Sequence, residues 1–168
     1  MLNRLMRALV HFAVLAALVA VPALAHAASD IGDPAKLEAV LLNGEKVNLE
    51  NWKGKVVMVS FWATWCPVCR SEMPGWQKFY EANRARGFEM IAMSVDDGEE
   101  EVRAFMAEKK YRFPIGWRFD KSEDDDFPTI RGTPTTFFVD RQGKVALKQV
   151  GRMTEESLRQ TLANLLAR

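Results

Sequence analysis

The chain predicts an α/β domain: a mixed central sheet with helices on both faces and an added N-terminal β-hairpin. Three observations carry that expectation. Residues 56–62 form an almost unbroken apolar run, as a strand covered on both faces requires. Strand and helix patterns then alternate, and the chain closes with a hairpin pattern and one more helix. Near the start, Asn43-Gly44 separates two short strand-like segments, residues 37–42 and 45–49.

The elements follow in order. Asn43-Gly44 is expected to close the first hairpin as a tight primed turn. Trp52-Lys53-Gly54-Lys55 turns the chain into the apolar strand. A helix runs from the cysteines to about Arg86, where Gly87 stops it. Residues 88–95 read as a second buried strand and residues 99–110 as a second helix. Residues 135–140 and 144–150 pair across Arg141-Gln142-Gly143. Thr154 then caps a last helix, with Glu155 and Glu156 in its first turn.

The first 27 residues read as a cleaved signal peptide and residues 28–168 as one domain. Arg4 and Arg7 precede an apolar run of about 14 residues, and Ala25-His26-Ala27 is a small-x-small cleavage signature. The run falls short of the roughly 20 residues that span a bilayer; an uncleaved anchor is the alternative. The expected location is the periplasm, an oxidising compartment. The chain has 23 Lys+Arg against 22 Asp+Glu, and without Arg4 and Arg7 the balance is 21 against 22. Such near-neutrality gives no support to nucleic-acid binding. Both histidines, His11 and His26, lie in the leader. The domain therefore has no imidazole for acid–base work or for haem or metal ligation, and neither a cofactor nor a metal is expected.

Its thiol inventory is Cys66 and Cys69, set as Trp65-Cys66-Pro67-Val68-Cys69 between the apolar strand and the first helix. A structural disulfide of this span removes little entropy from the unfolded chain, so the pair reads as a redox couple. With Cys66 as helix cap, Pro67 takes the first helical position, where its missing N–H costs nothing. Cys69, Met73, Trp76 and Tyr80 then form one core-facing stripe, with Pro74 inside the helix. Cys66 is expected to project from the helix tip as the attacking thiolate, favoured by the dipole. Cys69 is expected to be buried and to need a base. Glu72, three residues on, is either that base or an ordinary solvated glutamate.

Other features are read more plainly. Thr133-Pro134 makes a turn ahead of a strand, with only the ordinary frequency of a cis bond, about 5–6%. Residues 96–101, Asp-Asp-Gly-Glu-Glu-Glu, are assigned to the second helix's N-terminus, where negative charge suits the dipole. Residues 123–126 are an acidic loop, solvated or else steering positively charged partners. Of the two tryptophans beside the cysteines, Trp62 is expected beneath the site and Trp65 as exposed contact surface.

Phe61-Trp62-Ala63-Thr64-Trp65-Cys66-x-x-Cys69, Pro74 and Gly132-Thr133-Pro134-Thr135 together resemble the thioredoxin-like superfamily. Glu72-Met73-Pro74 and the leading hairpin resemble its extracytoplasmic TlpA/ResA/CcmG branch. The likeness spans about residues 33–167. It implies a thioredoxin fold, a cis Thr133-Pro134 bond, Thr133 backbone atoms that pair with substrate, and Glu72 in the active site. It also implies that Trp65, Pro67, Thr133 and Pro134 surround a bound substrate. One departure is Ser60, where cytosolic thioredoxins carry a buried aspartate; Glu72 would have to replace it. Another is Pro67-Val68 between the cysteines. Val68 cannot stabilise a thiolate as a charged histidine would, which favours a reductant over an oxidant.

The resulting expectation is a thiol:disulfide oxidoreductase that reduces protein disulfides of the cytochrome c or copper-site maturation type. A transmembrane thiol donor would supply electrons to a monomeric protein. An oxidant or isomerase of the same fold, and a non-enzymatic copper-binding chaperone, are the alternatives. A peroxiredoxin is set aside, since Val59 and Ala63 stand where it would want proline and Thr or Ser.

Overall fold

A computed structural model describes residues 31–118 and 126–168. The expected signal peptide, residues 1–27, and residues 123–125 of the acidic loop lie outside the described residues. Strands β1 (Glu38–Val40) and β2 (Lys46–Asn48) form an antiparallel pair, followed by a 3₁₀ turn, Leu49–Trp52. Then come β3 (Val56–Trp62), α1 (Pro67–Asn83), β4 (Phe88–Ser94), α2 (Glu99–Ala107) and β5 (Ile115–Trp117). Strands β6 (Thr135–Val139) and β7 (Val145–Val150) and helix α3 (Glu155–Leu166) complete the chain. The main sheet has the order β5-β4-β3-β6-β7, with β3, β4 and β5 parallel and β6 and β7 antiparallel to their neighbours.

All seven residues of β3 are buried, as its apolar run requires. Alternation then divides them. Val56, Met58 and Trp62 join a cluster with Met73 and Trp76 of α1, Val102 of α2 and Leu158 and Leu162 of α3. Val57, Val59 and Phe61 face the other way, toward Leu37, Leu41, Leu49, Phe127 and Phe137. Burying one such side chain contributes roughly 1.5–3 kcal/mol. The crossovers β3–α1–β4 and β4–α2–β5 step the same way along the sheet, so right-handed connections lay both helices over one face. Among the described residues, the helical cover expected on the second face is reduced to the 3₁₀ turn at Leu49–Trp52, beside the hairpin.

Three local features depart from the sequence reading. The first hairpin does not close in a two-residue primed turn. Gly44 N donates to Leu41 O and Leu41 N to Glu45 O, and Gly44 sits at φ 84°. That is a three-residue loop with glycine in the left-handed position. Strand β5 is absent from the sequence reading, because three residues behind Pro114 carry too little periodicity. A Cβ on its Gly116 would meet Met93 Sδ at 2.8 Å, so that flexible side chain would have to shift. Third, α2 stops at Ala107 rather than residue 110. Helix α1 ends at Asn83 and passes through a 3₁₀ turn, Arg84–Arg86, to Gly87 at φ 88°. Thr154 caps α3 as expected, accepting from Ser157 N.

Ser60 lies opposite Thr136 in the β3–β6 register, and their buried hydroxyls meet at 3.0 Å. Position 60 thus holds half of a neutral hydroxyl pair. Ser60→Ala strands the Thr136 hydroxyl and should cost about 1–3 kcal/mol of stability. Ser60→Ala/Thr136→Val removes both partners and should cost less than the single change. Urea denaturation of the oxidised proteins measures both; a double variant weaker than the single would refute the pairing.

Candidate active site

Cys66 stands four residues beyond β3 and caps α1 with extended backbone, φ −87° and ψ 105°. Its Sγ accepts from Cys69 N at 3.1 Å, and its carbonyl accepts from Arg70 N at 3.1 Å. Pro67 is at the first helical position. Cys66 and Cys69 are joined in a disulfide. Cys69 is fully buried, as its place in the core stripe requires. Cys66 corrects the sequence reading: it is only 3% exposed and does not project from the tip. The loop before β6 covers it, with Thr133 O 3.6 Å from its sulfur. That loop contains a cis Thr133-Pro134 bond.

The surroundings of the disulfide are unequal. Trp65 is 65% exposed, whereas Trp62 is buried and tilted against Phe105 at 5.6 Å between ring centroids. Pro67 is exposed, Val68 half-buried and Pro134 buried. Glu72 is buried, which sets aside the solvated-glutamate alternative. Its Oε1 accepts from Met153 N at 2.8 Å, while Oε2 is buried with no hydrogen-bond partner. The segment supplying Met153 also binds the other walls of the site. Gly151 N donates to Pro134 O at 2.8 Å, and Arg152 Nη2 to Ser71 Oγ at 3.0 Å. One three-residue connection therefore ties α1 to the Thr133-Pro134 loop.

Asp96 is the site residue that the sequence reading misplaces. It does not sit at the α2 N-terminus, which begins after Gly98. It is buried behind β4, with Oδ2 accepting from Thr64 N at 3.0 Å and from Ser94 Oγ at 2.5 Å. Its Oδ1 accepts from Thr64 Oγ1 at 2.6 Å. Asp96 thereby anchors the turn that carries Trp65 and Cys66. The run of acids around it masks this role, because only Glu99, Glu100 and Glu101 lie in the helix. Among the described residues, no group of three or more His, Cys, Asp or Glu is placed to hold a metal ion.

What this arrangement can do is make and break one disulfide at the end of a buried strand. Fold and site define a thiol-disulfide oxidoreductase with a thioredoxin-like fold. The chain belongs to the AhpC/TSA family, whose model matches residues 31–148. It is 37% identical over 123 residues to the thiol-disulfide oxidoreductase ResA of a Bacillus cereus strain, covering 70% of this chain and 67% of that one. It is 36% identical to the thioredoxin-like protein YneN of Bacillus subtilis (strain 168), covering 72% and 71%. Among solved structures, a putative thiol:disulfide interchange protein DsbE from Chlorobium tepidum matches with a TM-score of 0.71 and 30% identity. That match covers 82% of this chain and 98% of the other.

Burial gives Glu72 a measurable signature. Desolvation raises its carboxyl above the usual 4.5, against the opposing pull of the Met153 N–H and the Arg152 charge. A folded-state carboxyl raised in this way stabilises the fold below its unfolded value. That contribution is lost as pH rises from about 4.5 through the raised value. Glu72→Gln does not titrate, so its stability relative to wild type should improve as pH rises from about 4.5 through the raised Glu72 value. Urea midpoints of the oxidised proteins test this, and a difference that stays constant with pH would contradict it.

Proposed function

We propose that this chain is an extracytoplasmic reductase of protein disulfides, serving substrates of the cytochrome c or copper-site maturation type. The observation that carries the reading is the Cys66–Cys69 pair at the α1 cap, beneath the Thr133 carbonyl, with buried Glu72 three residues after Cys69 on the same helix. The names of its ResA and DsbE-type relatives support disulfide exchange, and the apolar N-terminal run with its small-x-small end supports export. Among the described residues, no helix is long and apolar enough to cross a membrane.

In the reduced protein, the N–H groups and dipole of α1 favour the Cys66 thiolate. That thiolate attacks one sulfur of a substrate disulfide. The substrate S–S bond breaks, a mixed disulfide forms, and the departing sulfur takes up a proton. Cys69, buried and poorly able to ionise alone, gives its proton to Glu72 and attacks Cys66. The second substrate sulfur leaves as a thiol, and two electrons have passed from the dithiol to the substrate. The Cys66–Cys69 disulfide is then reduced again by an external thiol donor, expected in the membrane. Trp65, Pro67, Thr133 and Pro134 form the surface around the reacting sulfur, with the Thr133 backbone pairing with substrate. The protein acts as a monomer.

Cys69→Ser should keep the first attack and accumulate mixed disulfides, whereas Cys66→Ser should abolish exchange. Trapping of a disulfide peptide, read by mass spectrometry, checks this; equal trapping by both variants would reverse or remove the assigned roles.

The direction of flow rests on Val68, which stands between the cysteines where a charged histidine would stabilise the thiolate. Equilibration with glutathione should place the couple nearer the roughly −270 mV of thioredoxin than the roughly −120 mV of a strong oxidant. A value above about −180 mV would favour the oxidant or isomerase reading instead.

A further inference from the structure

Beside the cysteines, Pro67, Arg70, Phe105, Lys109 and Tyr111 line a groove of about 520 Å³. Two cations grip its aromatic floor: Arg70 Cζ lies 5.6 Å and Lys109 Nζ 5.3 Å from the Phe105 ring centroid. Neither has a carboxylate partner among the described residues, and no acid lines this groove. Glu72 and Asp96, the two carboxylates buried near the cysteines, are engaged internally, Glu72 by Met153 N and Asp96 by Thr64 and Ser94. Lys109 and Tyr111 also line a second cleft of about 790 Å³, so the track continues toward the leading hairpin. There Arg103 and Arg112 are paired with Glu99 and Glu81, while Arg84 lies over the Tyr80 ring.

We propose that this groove receives an acidic stretch of the disulfide-bearing substrate, docking carboxylates on Arg70 and Lys109 while Cys66 meets the adjacent disulfide. The inference rests on the oxidoreductase reading and adds the chemistry of the substrate it prefers. A cation held against an aromatic face keeps its donors pointed outward, and apolar walls strengthen its attraction for a carboxylate.

The test uses two peptides that each carry one disulfide to the same neutral thiol, flanked by glutamates in one and lysines in the other. Rates with the reduced protein are divided by those with a small neutral dithiol, which removes the peptides' intrinsic reactivities. The acidic peptide should then be favoured by about 10-fold or more at low ionic strength, with the preference collapsing at about 1 M salt. The salt series needs no variant and so does not depend on any substitution folding. In Arg70→Glu/Lys109→Glu the preference should invert. Equal normalised rates in wild type, a preference for the basic peptide, or an acidic preference that survives the double substitution would each overturn the proposal. Failure to exchange with either peptide or with the dithiol at any salt would overturn the oxidoreductase reading itself.

Discussion

Strand β3 is hydrogen-bonded along its length on both sides, and the site exists because of where those ladders end. Trp62 pairs with Ser94 at the end of β4, and Phe61 with Thr135 at the start of β6. Cys66 follows four residues after Trp62, Asp96 two after Ser94, and Pro134 directly precedes Thr135. Register alone therefore brings the reactive sulfur, the carboxylate that anchors its turn and the covering loop to one end of the sheet. A slip by one residue would exchange the faces of Trp62 and Phe61 and bury the wrong apolar set. With seven buried residues divided between two apolar clusters, such a slip is strongly disfavoured.

Two carboxylates are buried around this junction, and their partners separate their duties. Asp96 is held by a backbone N–H and two hydroxyls, so its oxygens are matched by fixed donors. Glu72 has one oxygen on Met153 N and the other bare. A satisfied acid is suited to holding geometry, whereas an incompletely satisfied one is poised to change its protonation. The neutral Ser60–Thr136 pair adds no charge to the same region. Burial raises the Glu72 carboxyl above its usual value.

Much of this is legible in the sequence because the signals are local. The apolar run gives β3, the Cys-Pro cap gives the α1 start, the stripe from Cys69 to Tyr80 gives its buried face, and Thr154 gives α3. The resemblance implies the cis bond before Pro134, where spacing alone gives only a common turn. What is not legible depends on contacts distant in sequence. Strand β5 is too short for periodicity and is defined by pairing with β4. The burial of Cys66 comes from a loop 67 residues away. The role of Asp96 comes from Thr64, 32 residues earlier, and its acidic neighbours suggest a helix terminus instead.

The 3% exposure of Cys66 makes reach, rather than chemical reactivity alone, the filter on what this protein can act upon. Exchange requires the partner's sulfur to come into line with a sulfur lying beneath the Thr133 carbonyl, which only a slender, pliant stretch of chain can enter. A disulfide recessed inside a finished fold cannot make that approach, while one in an unfolded or extended segment can. A recess of this kind therefore sorts exchange partners by how freely their sulfurs can move.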